Sequence, residues 1–167
     1  MPERETIKRA RKDKREGKSP STQAGEFVRE EIHHVREGKH GARSTKQAIA
    51  IGLSKARRAG VKLRAPKKGE AREETRESAK RDLARGRRRK TRRPSAKRSR
   101  AMRRRLKREP RRATTKRALS RFARAAARQR TAKDRSASAR QAARTKGARG
   151  RSEAARKAAR TRARRGT

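Results

Sequence analysis

The sequence predicts a mostly α chain with extensive disorder and no sheet. A small helical hairpin is followed by a long Arg/Ala-rich arm of isolated or induced helices. Three observations predict this. Charged residues make up 46% of the chain and apolar residues only 28%, mostly alanine, and low hydrophobicity with a large net charge is the signature of intrinsic disorder. Nine of the 16 larger apolar residues lie between Phe27 and Leu63, enough for one small ordered unit that is marginal alone. Residues 83–167 carry 36 Lys or Arg against three acids, Glu109, Asp134 and Glu153, a net +33. A segment of that density repels itself and needs a polyanion to compact it.

Residues 1–18 form a charged N-terminal helix or arm. Its helix spans 3–16, has Ile7 as its one large apolar side chain, stops at Gly17, and frays if isolated. Residues 19–63 form the hairpin. Its first helix, 19–37, starts at Ser19-Pro20 or Ser21 and stops at Gly38. Ala24, Phe27, Val28, Ile32 and Val35 recur at helical spacing on one face. Its second helix, 44–59, pairs Ser44 with Gln47 in a capping-box pattern and ends at Gly60. Ala48, Ile49, Gly52, Leu53, Ala56 and Ala59 share one face, with small residues that let a partner helix approach closely. Arg58 and Ser54 point the opposite way. Ile51 falls outside the apolar face and reads as an exposed isoleucine rather than a second contact surface. The short link 39–43 makes the two helices neighbours, and Val61 and Leu63 fold back over them.

Residues 64–86 are a linker and a charged helix, mostly solvated. Residues 87–167 are the basic low-complexity arm, broken by Pro94 and Pro110. Its best local helix covers about 114–130, with Leu119, Phe122, Ala123 and Ala126 on one side and Arg117, Arg121, Arg124 and Arg128 on the other. The Ala-Ala-Arg unit recurs near the end without a fixed period, so the arm is biased composition and not a repeat array.

Several functions lack the residues they need. With no cysteine, no disulfide, thiolate metal ligand or thiol nucleophile exists. No nucleophile–base arrangement or apolar pocket supports catalysis, so the chain reads as no enzyme and needs no cofactor. His33 and His34 are adjacent on a helix, about 100° apart. Together with His40 they read as exposed polar residues, with no metal site. No apolar stretch reaches the ~18 residues of a membrane span, and residues 1–18 lack the apolar centre of a secretory signal. The expectation is a cytoplasmic protein located at the nucleoid, without a membrane partner.

Phosphate is the chemistry that the arm fits. Duplex DNA carries one charge per ~1.7 Å, so ~33 positive charges match roughly 55 Å of duplex. Candidate phosphate contacts are Arg87, Arg88, Arg89, Lys90, Arg92, Arg93, Arg103, Arg104, Arg105, Arg111 and Arg112. Arg121, Arg124, Arg128, Arg144, Arg156, Lys157 and Arg160 complete the set. Arginine outnumbers lysine 42 to 18, and its planar fork suits bidentate phosphate contacts. Relief of arginine repulsion by phosphates predicts a coil-to-helix change over 111–165 on binding. Sequence readout has little support, because the arm has no Asn and only Gln129 and Gln141 for adenine contacts. Only Phe27 and Phe122 are aromatic, too few for a single-strand stacking platform. Phe27 reads as core. Phe122 fits either a helix-face anchor, the favoured reading, or a base wedge.

Two resemblances add to this. Val35-Arg36-Glu37-Gly38-Lys39 and the run Ser44-Thr45-Lys46-Gln47-Ala48-Ile49-Ala50-Ile51-Gly52-Leu53-Ser54-Lys55-Ala56-Arg57-Arg58-Ala59-Gly60 resemble an uncharacterised family of small basic bacterial proteins. Such proteins are commonly named DNA-binding on composition. The likeness implies a bacterial source and carries no known active residues. The arm resembles the basic tails of linker-histone-like bacterial proteins, though its arginine excess departs from their usual lysine-rich composition. The resulting expectation is a histone-like, nucleoid-associated protein that binds nucleic acid without sequence preference, DNA favoured over RNA. The alternatives are an RNA- or ribosome-associated protein, and an interaction protein whose 19–63 hairpin recruits a protein partner or a second copy.

Overall fold

The computed structural model describes residues 2–88 and 95–166. These hold seven α-helices, one 3-10 turn and no strand beyond an isolated bridge between Lys68 and Ala71. The chain is 76% helical. The mostly α, sheet-free expectation stands, but the extensive disorder is overturned. The arm is helical over Ala96–Arg108, Lys116–Arg128 and Ala132–Arg165. Alanine and arginine both favour helix and need no large apolar partner to do so. Two compact units cover residues 1–123 and 124–167.

The first unit begins with α1, Arg4–Arg15, whose Thr6 and Ala10 are buried. It packs on α2, Pro20–Arg36. Ser19 Oγ caps α2 by accepting the Thr22 N–H at 3.3 Å, with Pro20 in the first turn. Helix α3, Thr45–Arg58, starts with a displaced capping box. Ser44 Oγ accepts the Gln47 N–H, but Gln47 Oε1 reaches one residue further back, to the Arg43 N–H at 2.9 Å.

Helix α3 lies between α2 and α4, Glu73–Arg87. On the α2 side, a Cβ at Gly52 would stand 2.6 Å from Val28 Cα, so only glycine allows this approach. On the other side Ser54 Oγ donates to Asp82 Oδ2, Arg58 Nε lies 3.8 Å from Asp82 Oδ1, and Ala79 is buried. Residues 73–87 are mostly exposed, as the sequence predicts, but Ala79 and Asp82 are buried. Ile51, on the Ser54 and Arg58 side of α3, is half-buried rather than exposed.

One apolar cluster joins Ala10, Ala24, Phe27, Ala56 and Val61, with Ile7, Leu53 and Leu63 against it. Truncating Phe27, 1% exposed, costs about 3–5 kcal/mol by general experience of such cavities. Buried Arg57 ties the chain after α3 down by donating to the Leu63 and Arg64 carbonyls at 3.2 and 3.3 Å. Burial lowers the pKa of its guanidinium, and the Asp82 charge opposes that shift.

A second cluster joins Val35, Ala42 and Ala48 to Ala113. Ala113 lies in the 3-10 turn Arg112–Thr114. The chain around it docks through backbone groups. The Gly41 N–H donates to Leu106 O at 2.8 Å, and the Ala42 N–H to Pro110 O at 3.0 Å. Arg36 Nε donates to Thr114 O at 2.9 Å, and Thr45 Oγ1 to Ala113 O at 2.7 Å. Gly41 lies so near the Glu109 carbonyl that any Cβ would collide with it. The hairpin is thus closed by residues 106–115, which the sequence reading assigns to a free arm.

The second unit is dominated by α7, Ala132–Arg165. Thr131 Oγ1 accepts the Asp134 N–H at 3.1 Å, while Asp134 Oδ2 accepts the Thr131 N–H at 3.3 Å, a reciprocal cap. Gly147, at φ +65° and ψ 179°, interrupts the helix, a backbone state that L side chains avoid.

Candidate nucleic-acid interface

Three helices carry most of the candidate phosphate contacts: α5, Ala96–Arg108; α6, Lys116–Arg128; and α7. Neither α5 nor α6 buries a residue or contains an acid. No described side chain of α7 is buried. Helix α5 forms without a side-chain cap. Helix α6 is primed by Thr115 Oγ1, which accepts the Ala118 N–H at 3.2 Å.

The expected phosphate contacts fall into four groups. Arg87 ends α4 and Arg88 caps it, both exposed. Arg89, Lys90, Arg92 and Arg93 lie outside the described residues. Arg111 and Arg112 are exposed on the docked segment, with the Arg111 side chain against Gly38. The remainder are exposed on α5, α6 and α7.

Only part of the set shares a face. On α6, Arg121, Arg124 and Arg128 line up with Arg117, opposite half-buried Leu119, Phe122 and Ala126. That placement fits Phe122 as a helix-face anchor. Arg103, Arg104 and Arg105 are consecutive, so they radiate around α5 at about 100° intervals. On α7, Arg156 and Arg160 are one turn apart, while Arg144 precedes the break at Gly147.

These cations differ from those of the first four helices in their pairing. Arg103, Arg104, Arg105, Arg121, Arg124, Arg128, Arg144, Arg156, Lys157 and Arg160 use no side-chain hydrogen bond or ion pair among the described residues. In α1–α4, by contrast, Arg9 Nε meets Glu26 at 2.6 Å and Lys18 Nζ meets Asp13 at 2.7 Å. Hydrogen bonds to Asp13 and Glu16 raise the Lys18 pKa. Those to Glu37 and Glu3 raise the pKa of Lys39. Hydrogen bonds with His34 and Lys39 lower the Glu3 carboxyl.

The described chain also contains groups able to hold a metal. Glu31, His34 and His40 each bring one ligand atom within 4.8 Å of the other two. His33 is exposed as the sequence predicts, but His34 and His40 are not, with side chains 13% and 16% exposed. The readable signal was Glu31-x-x-His34, an i, i+3 pair on one helix face. The contribution of His40 depends on a loop that returns to α2, and no periodicity reports that.

A family model described as a family of unknown function (DUF6496) matches residues 11–69, about a third of the chain. The match runs from within α1 through α2 and α3 to the segment before α4, and so includes Glu31, His34 and His40. Helices α5–α7 lie outside it. No curated protein and no solved structure matches the chain. No helix among the described residues is long and apolar enough to cross a membrane.

Proposed function

We propose that this is a non-enzymatic, sequence-independent DNA-binding protein, histone-like and nucleoid-associated, that neutralises phosphate charge through α5, α6 and α7. One observation carries the reading. Residues 83–167 hold 36 basic residues against three acids, and the described candidate contacts among them are exposed. Held on helices, such cations meet the backbone at fixed spacing, releasing counterions as phosphates are covered. The arginine stripe of α6 is the most ordered part of this surface. Redundancy follows, so single substitutions have little effect. The compositional likeness of the arm to linker-histone-like tails supports the same reading.

The test is purification from the native host with and without nuclease, followed by identification of the bound nucleic acid. Co-purification with DNA of mixed sequence, lost on DNase treatment, is expected. Protein that emerges free of nucleic acid in dilute buffer overturns the proposal, and protein carrying RNA alone replaces it with an RNA-binding role.

A further inference from the structure

We infer that Glu31, His34 and His40 form a binding site for a divalent transition-metal ion of the zinc class, built into the first unit.

The argument starts at Glu31. It is 0% exposed, and neither carboxylate oxygen accepts a hydrogen bond. Lys55 Nζ stands 2.6 Å from Oε2 and His40 Nε2 stands 3.1 Å from Oε1. Both are at ion-pair distance, but neither has the angles of a hydrogen bond. Lys55 also serves buried Glu30, at 3.2 Å from its Oε1. One ammonium is therefore shared by two buried carboxylates, and a buried carboxylate without full compensation is costly.

Each histidine uses one ring nitrogen in a hydrogen bond and leaves the other open. His40 Nδ1 lies 3.0 Å from the Gly41 carbonyl. A carbonyl only accepts, so Nδ1 carries the proton. In the neutral ring Nε2 then bears the lone pair 3.1 Å from Glu31 Oε1, so two acceptors lie close with no proton between them. A cation between them resolves that conflict. His34 Nε2 lies 2.8 Å from Glu3 Oε1, the carboxylate–histidine pairing that holds a metal-bound imidazole. Donation to Glu3 leaves Nδ1 as the lone-pair atom. The two rings meet edge to face, with centroids 6.1 Å apart.

Two imidazoles and a carboxylate, with no cysteine in the chain, favour Zn²⁺, Co²⁺ or Ni²⁺ over Mg²⁺ or Ca²⁺, which prefer all-oxygen sites. Zinc bonds of about 2.0–2.1 Å place tetrahedral ligand atoms roughly 3.3 Å apart. Small side-chain rotations toward a common centre therefore complete the site, and water takes the fourth position. The ion would tie α2 to the turn whose Gly41 and Ala42 N–H groups hold residues 106 and 110.

The experiment titrates Zn²⁺ into the full chain, stripped of metal and nucleic acid, against a chromogenic chelator. One equivalent is expected. His40→Ala and His34→Ala each weaken binding at least about tenfold, while exposed His33→Ala leaves it unchanged. Ring NMR signals of the unmodified chain provide a readout that no variant can compromise, with His34 and His40 shifting on Zn²⁺ addition and His33 staying fixed. Failure to bind one equivalent overturns the inference. Equal sensitivity of all three histidines to substitution or to Zn²⁺ overturns it as well.

Discussion

Arg57 of α3 and Arg121 of α6 are the same side chain in opposite circumstances. Arg57 is 8% exposed and donates to two carbonyls that hold the following segment. Arg121 is exposed, shares a stripe with three other arginines, and pairs with nothing described. The contrast extends along the chain. In α1–α4 acids accompany the bases, and ion pairs join α1 to α2 and α2 to α3. In α5 and α6 no acid is present. Arginine spent on internal carbonyls stabilises a fold, whereas arginine left in water is available to an external polyanion. The boundary between these uses does not follow the fall in acid content along the sequence. It lies after residues 106–115, which sit within the net +33 region yet are bound into the first unit.

The comparison can be broken from the folded side first, where the largest effect is expected. Gly52→Leu forces a side chain into Val28 and destabilises the first unit by about 3 kcal/mol, measured by thermal unfolding at 222 nm. DNA affinity should stay within about threefold, because α6 and α7 do not depend on that contact. Equal loss of affinity would show that the folded unit carries the binding.

Changing Arg117, Arg121, Arg124 and Arg128 together to Gln tests the other side. The slope of log affinity against log salt should become shallower by up to about 3.6, at 0.9 for each phosphate contact removed. The unfolding midpoint of the first unit should not move.

A smaller effect sharpens the internal pairing. Burial alone would raise the Glu30 carboxyl, but hydrogen bonds from Thr6, the Glu3 N–H and Lys55 outweigh it and leave the pKa lowered. A lowered folded-state pKa means that the unfolded chain binds more protons in acid. Stability is therefore present above the ordinary carboxylate range and is lost as pH falls through the folded-state value. The unfolding midpoint should drop on acidification below about pH 4.5, and Glu30→Gln should flatten that dependence.

How much of this was legible in the sequence follows from the range of each interaction. The ends of α1, α2 and α3 were readable because Ser19, Ser44, Gly17, Gly38 and Gly60 act within one helical turn. The order of the arm was not, because counting large apolar residues measures core formation, and helices built from Ala and Arg need no core. The docking of residues 106–115 was hidden for another reason. It is made largely of backbone N–H and carbonyl groups more than 60 residues apart, which leave no side-chain pattern. For the proposed phosphate surface, the α6 stripe was visible as a helical period. The metal-ligand cluster stayed hidden because His40 approaches Glu31 through a turn.

The most direct test of the central claim, that the exposed cations of α5–α7 act as a polycation toward phosphate, is the salt dependence of duplex DNA binding by the full chain. About ten phosphate contacts give a log–log slope near −9 or steeper, with little difference between duplexes of unrelated sequence. A slope shallower than about −3, or affinity that survives high salt on one sequence alone, would contradict it.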